Sequence, residues 1–318
     1  MEVKREETPE EKKADRNRIL IFLGITFAVT YAVEILMVAP LVGSSDVNEA
    51  MMAQKLVAGI MFMPAFGALI TRFVTKEGFA GRNLYITINL KGHLRYYGIV
   101  WPLFGGLIIL GAALYFMLFP GCYDGSLGYA QAAFNAVAAE PYSAEQVRQI
   151  VMNQTIMGFL MAPFVNLVNC FGEEWGWRGY LLPKLLGRFK VVPAVLLNGL
   201  IWGLWHAPLI ALGHNYGIGY PGFPVVGILA MCVFCVVMGT ILCYVTIKTR
   251  SCIPAVMGHG MINGFSTVGV LFTSMEHPFN VFLGPTPVGL IGGAGFIALA
   301  AFLMRSLYKE EKNSLLFS

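Results

Sequence analysis

Long apolar runs separated by short polar stretches dominate this chain. Eight runs can be drawn, at roughly 19–43, 52–74, 97–119, 150–171, 191–212, 223–247, 253–273 and 285–304, each near the ~20 residues that cross a bilayer as helix. The pattern predicts an all-α polytopic membrane protein, a bundle of about eight transmembrane helices. A charged, mobile stretch is expected over 1–18, one transmembrane helical domain over 19–308, and a short tail over 309–318. No small-residue cleavage site precedes a short apolar core near the N-terminus, so no removable leader is expected.

Composition agrees with the pattern. Hydrophobic residues make up 57% of the chain, charged residues 13%, and the mean hydropathy is +0.66, whereas a soluble domain carries about 25% charge. The net charge of +4 is small, and no nucleic-acid partner is expected. Placement of the basic residues says more. Six fall before the first run (Lys4, Arg5, Lys12, Lys13, Arg16, Arg18). Five lie at or beyond the end of the second run, four after the fourth, two after the sixth and three after the eighth, and only Lys55 and Arg148 remain for the other side. The positive-inside rule then sets both termini in the cytoplasm of a multi-pass cell-membrane protein.

Smaller signals refine the plan. Of six cysteines only Cys122 lies in an expected outside loop, so no disulfide framework is expected. The spacing of Cys232 and Cys235 suits a metal, but both sit in an apolar run without a second pair and read as buried small hydrophobes. Ser143 with Gln146 forms a capping-box signature before the fourth run. Gly199 with Gly203, and Gly289 with Gly293, are small-xxx-small spacings of the kind that lets membrane helices approach closely. They suit a compact bundle and leave a homodimer open.

Ionisable side chains at membrane depth are costly and need partners or a water-filled cavity. The candidates are Glu34, Glu173, Glu174, Arg178, His206 and His259, with Asn166, Asn169, Asn198 and Asn263 adding uncharged polarity. In "NCFGEEWGWRGYLLPKL" (169–185), Glu174 and Arg178 are i,i+4 neighbours if the helix continues, and neutralise each other. Glu173 lies about 100° round the helix. A carboxylate outside that pair, in a low-dielectric site, suits a general base; an ordinary polar turn in headgroup water is the competing account. In the fifth run His206 follows Trp202 on one helix face, and Pro208 weakens the helix beyond it. In the seventh, His259 and Asn263 share a face. Gathered together, Glu173, His206, His259 and Asn263 supply a base, two imidazoles and an amide, enough to activate water and stabilise an oxyanion.

The ordered trio "EEWGWR" (Glu173, Glu174, Arg178), "WGLWH" (Trp202, His206) and "HGMIN" (His259, Asn263) resembles the CAAX protease and bacteriocin-processing family of intramembrane glutamic endopeptidases. That family's pattern is EExxxR, FxxxH, then HxxxN or HxxxD. Trp202 stands where the family usually has Phe. The resemblance covers about 165–270, the motif-bearing core. It implies an eight-span bundle with a cavity open to cytosol and lipid. Glu173 would activate a water that His206 helps to hold, and His259 and Asn263 would stabilise the oxyanion. Glu174, Arg178 and Trp202 would support them. The family includes proteases of prenylated CAAX proteins as well as peptide-processing and bacteriocin-immunity members.

Three function classes are therefore open. The first is an endopeptidase acting on prenylated or other membrane-associated proteins or peptides. A zinc enzyme would use one Glu and two His as ligands, but these come from three separate helices without an i,i+4 His pair, so no metal and no cofactor is expected. An immunity or regulatory scaffold would use the polar cluster for packing alone. Neither a GxSxG elbow nor an HExxH helix is present, and no inverted repeat points to a transporter.

Overall fold

The structure, a computed structural model, describes residues 9–313, and among these it is all-helical, with one isolated antiparallel bridge, Tyr123 to Thr273. The α-helices are α1 Pro9–Val33, α2 Val47–Ile60, α3 Met63–Val74, α4 Leu94–Gly98, α5 Phe104–Leu118, α6 Gly128–Asn135, α7 Ala144–Val165, α8 Leu167–Glu174, α9 Leu182–Arg188, α10 Val191–Trp205, α11 Ala207–Ala211, α12 Val225–Thr249, α13 Ile253–Phe265 and α14 Ala294–Lys312. Wider π-helical turns occupy Glu34–Val38, Ile99–Leu103 and Trp175–Leu181.

Four stretches are long and apolar enough to span a bilayer: Lys13–Leu41, Leu94–Leu118, Val225–Thr249 and Ile253–Phe272. The number rises to six if two broken pairs, α2 with α3 and α7 with α8–α9, each count as one span. The eight expected runs therefore reduce to four to six qualifying helices, for local reasons. The fifth run stops at Trp205, because Pro208 cannot donate a backbone hydrogen bond; only the short α11 follows. The eighth run does not begin as helix. Pro285, Pro287 and four glycines within 284–293 hold that stretch in turns, and α14 starts at Ala294. Gly289 and Gly293 accordingly approach the backbone of their own loop, at Leu283–Gly284 and Pro287, rather than another helix.

The charged N-terminal stretch also departs from expectation. Residues 1–8 and 314–318 lie outside the described residues, but 9–18 are helical and continue into α1. Large apolar side chains such as Phe73 (79% exposed), Met117 (78%) and Leu36 (73%) face outward. Such an apolar exterior fits lipid rather than water.

The fold divides into two compact units. The first comprises 9–96, 167–256 and 299–313. Its core joins Leu182, Val191, Val195, Cys243 and Leu307. There α10 lies against α12 at close range: a Cβ on Gly199 would sit 2.7 Å from Val236 Cα, and one on Gly203 2.5 Å from Cys232 Cα. At one end of this unit Glu77 gathers Lys184 (2.5 Å), the Tyr180 hydroxyl (2.9 Å) and Arg72 (3.9 Å). Burial pushes the Glu77 carboxyl up, but the Lys184 hydrogen bond and the charges of Lys184 and Arg72 outweigh it and hold the group below the ordinary carboxylate range.

The second unit comprises 97–166 and 257–298. Trp101 Nε1 donates to the Phe159 carbonyl (3.0 Å), and Phe104 meets Phe296 edge to face. Helix α7 opens with the expected box: Gln146 N–H donates to Ser143 Oγ, and Ser143 N–H to Gln146 Oε1. The connection between α5 and α7 carries the short helix α6.

Candidate active site

The glutamate motif sits where two backbones come unusually close. A Cβ on Gly172 would lie 2.7 Å from the Met61 carbonyl oxygen, and one on Gly176 2.3 Å from Pro64 Cβ. These glycines, one turn apart, let α8 press against the break between α2 and α3. Glu173 and Glu174 are thereby carried into the interior, 3% and 0% exposed. The helix then widens into the π turn Trp175–Leu181, every residue of which is buried. Asn198 of α10 supports that turn by donating its Nδ2 hydrogen to the Trp177 carbonyl (2.9 Å). Single π turns inside α-helices occur frequently at functional sites.

The two glutamates have different partners. Arg178 Nη1 donates to Glu174 Oε1 at 2.8 Å, with both side chains fully buried. A buried pair of this kind neutralises itself. Glu173 Oε2 instead accepts from the indole Nε1 of Trp202 at 2.8 Å. The Trp202 ring also lies under the Arg178 guanidinium, 4.2 Å from Cζ to ring centroid, within cation–π range. Trp202 thus ties the supporting ion pair to the second carboxylate. The sequence placed Trp202 only on the His206 face; a Phe in its place could not donate this bond.

His206 ends α10. Its Nδ1 is 2.8 Å from the Trp202 carbonyl, an acceptor, so Nδ1 carries the hydrogen and in the neutral ring Nε2 is the accepting nitrogen. The imidazole packs edge to face on Trp205, 4.9 Å between centroids, and Trp205 Nε1 donates to Thr30 Oγ1 at 2.9 Å. Thr30 and Trp205 are supporting residues that sequence reasoning missed. Their signal was an aromatic beside His206 and one of several hydroxyls in a mostly apolar run.

The first unit therefore brings together Glu173, Glu174, Arg178, Trp202 and His206. His259 and Asn263 belong to the second unit, one helical turn apart on α13. His259 is buried and Asn263 exposed. Gly260 lets this stretch of α13 approach α7 at Pro163. Beside them runs a largely apolar cavity of about 530 Å³, lined by Met157, Met161, Ala162, Asn166, Gly264 and Phe265 among others.

Fold and site together define an all-helical, multi-pass membrane protein with a glutamate buried among tryptophan and histidine. Residues 155–265, a stretch containing all seven motif residues, match the family model described as Type II CAAX prenyl endopeptidase Rce1-like. A protein named CAAX prenyl protease 2, from Methanococcus maripaludis, is 33% identical over 106 residues, which cover 33% of this chain and 39% of that relative. The match falls on the motif-bearing core, about a third of the chain, and agrees with the resemblance carried by the three motifs.

Proposed function

We propose that this protein is an intramembrane endopeptidase that hydrolyses a peptide bond of prenylated CAAX-type or other membrane-associated substrates, using water activated by Glu173. The observation that carries the reading is the separation of the two buried glutamates. Glu174 is ion-paired to Arg178, while Glu173 accepts from the neutral indole of Trp202. Glu173 takes a proton from water as the hydroxide adds to the peptide carbonyl carbon. His206, accepting at Nε2, helps to hold that water. His259 and Asn263 donate to the oxyanion. Collapse of the tetrahedral intermediate breaks the C–N bond, and the proton held by Glu173 passes to the departing amine.

The apolar cavity beside α13 and the name of the archaeal relative support a lipid-bearing substrate. The asymmetry of basic residues supports termini on the cytoplasmic side. The decisive experiment is mass spectrometry of prenylated CAAX peptides incubated with wild type and with Glu173→Gln in matched membranes. Wild type is expected to release the residues after the prenylated cysteine, and Glu173→Gln to release none. Equal cleavage by both would overturn the mechanism. Removal of His259 or Asn263 is expected to lower kcat about 10²–10³-fold, the usual cost of one oxyanion donor.

A further inference from the structure

Glu34 is a third buried carboxyl that the proposed chemistry does not use. It lies in the apolar span Lys13–Leu41, is 0% exposed, and neither oxygen has a hydrogen-bond partner among the described residues. It opens the π turn Glu34–Val38. Its placement is specific. Thr30, four residues earlier on the same helix, receives the hydrogen bond of Trp205, the residue that stacks on His206. Tyr31 donates to the Leu204 carbonyl at 2.6 Å. The π turn also packs against α11, which begins one residue after His206. Glu34 is thus held on the side of the first unit where His206 sits, and it lies within electrostatic reach of Glu173 and of Tyr31. The other elements packed on this turn add little charge: α11 has no ionisable residue, and those of α2, Glu49 and Lys55, are exposed.

An ionised carboxylate without partners in such a position would cost several kcal/mol. The un-ionised acid needs only an acceptor for its hydroxyl, and two neighbouring carboxyls in a water-poor site commonly hold one proton between them. The geometry points to Glu34 as a positioning residue of the Glu173 site: as the carboxylic acid it directs its O–H to the Glu173 carboxylate through one water, so that the pair holds one proton and one negative charge. This rests on Glu173 being the base. The proton stays with Glu34 through the cycle; it limits the pair to one charge and fixes which way the basic oxygen of Glu173 faces.

Infrared spectroscopy of the full-length protein in lipid at neutral pH tests the protonation without any substrate. Wild type minus Glu34→Gln is expected to show a carboxylic-acid C=O band belonging to Glu34. Absence of that band means Glu34 is ionised, and overturns the proposal. The functional arm compares two variants on a prenylated CAAX peptide. Glu34→Gln, which keeps a donor and no charge, is expected to stay within about threefold of wild type. Glu34→Met, of similar volume, is expected to lose about tenfold in kcat at unchanged KM and unchanged melting temperature. A Glu34→Met protein as fast as wild type overturns the proposal. Failure of the Glu173 reading shows separately, as activity surviving in Glu173→Gln, and leaves the infrared result standing by itself.

Discussion

Replacing Trp202 by Phe removes the indole N–H, with the five-membered ring that carries it, and keeps an aromatic ring. The ring stays beneath Arg178, where Cζ is 4.2 Å from its centroid, while the 2.8 Å bond from Nε1 to Glu173 Oε2 is lost. A hydrogen bond to a charged group contributes about 1.5–3 kcal/mol, and a neutral one about 0.5–1.5. Chemical denaturation in mixed micelles should therefore find Trp202→Phe less stable by about 1.5–3 kcal/mol, before any added cost of the smaller ring. In a Glu173→Gln background the amide oxygen accepts the same bond without charge, so the substitution should cost about 1 kcal/mol less. That coupling is read from the double-mutant cycle. Turnover should fall as well, because a carboxylate that has lost this donor is held less firmly in the geometry that meets water. A misorientation of about 1.4 kcal/mol is tenfold in kcat. A Trp202→Phe protein with wild-type kcat, and a coupling indistinguishable from zero, would refute the reasoning that Trp202 orients the base.

Three further outcomes follow from the same geometry. Arg178→Met leaves Glu174 buried without its cation and should destabilise by about 3–5 kcal/mol, whereas Glu174→Leu with Arg178→Met together should recover most of the loss; melting temperatures of the single and double variants decide it. Gly176→Ala sets a methyl 2.3 Å from Pro64 Cβ and should cost about 1–3 kcal/mol through overpacking, with activity falling alongside stability. Glu77 titrates below the ordinary carboxylate range because Lys184 and Arg72 favour its charged form over the opposing effect of burial. Its contribution is fully present above the unfolded value of about 4.3 and disappears as pH falls through the lower folded value. Glu77→Gln should therefore flatten the stability-against-pH curve in that acid window and lower stability at neutral pH by about 1–3 kcal/mol; unchanged acid sensitivity would remove Glu77 from the cause.

The motif residues were legible in the sequence because each breaks a strong local rule. Glu173, Glu174 and Arg178 interrupt a run that should be apolar, and the i,i+4 spacing alone paired Glu174 with Arg178, as the 2.8 Å contact bears out. Hydropathy placed the apolar runs but overcounted qualifying helices, since it registers apolarity and not backbone hydrogen bonding. Pro208 ends α10, and Pro285 and Pro287 delay α14, although the side chains around them stay hydrophobic. The charged residues 9–18 misled in the opposite sense, because a polar stretch continuous with an apolar helix is held helical by it.

What stayed hidden was relational. Nothing in "WGLWH" says that one indole hydrogen reaches across to another helix. Nothing in the first run says that Glu34 turns inward at the level of His206. Both facts arise from backbone geometry, the first from glycine contacts at Gly172 and Gly176, the second from a π turn that begins at Glu34 itself. A π turn shifts the residues beyond it by a fraction of a helical turn, so a helical wheel drawn through the span misplaces every face after residue 34. Glu34 is a residue whose partner has to be sought in three dimensions, and the charge within electrostatic reach there is Glu173.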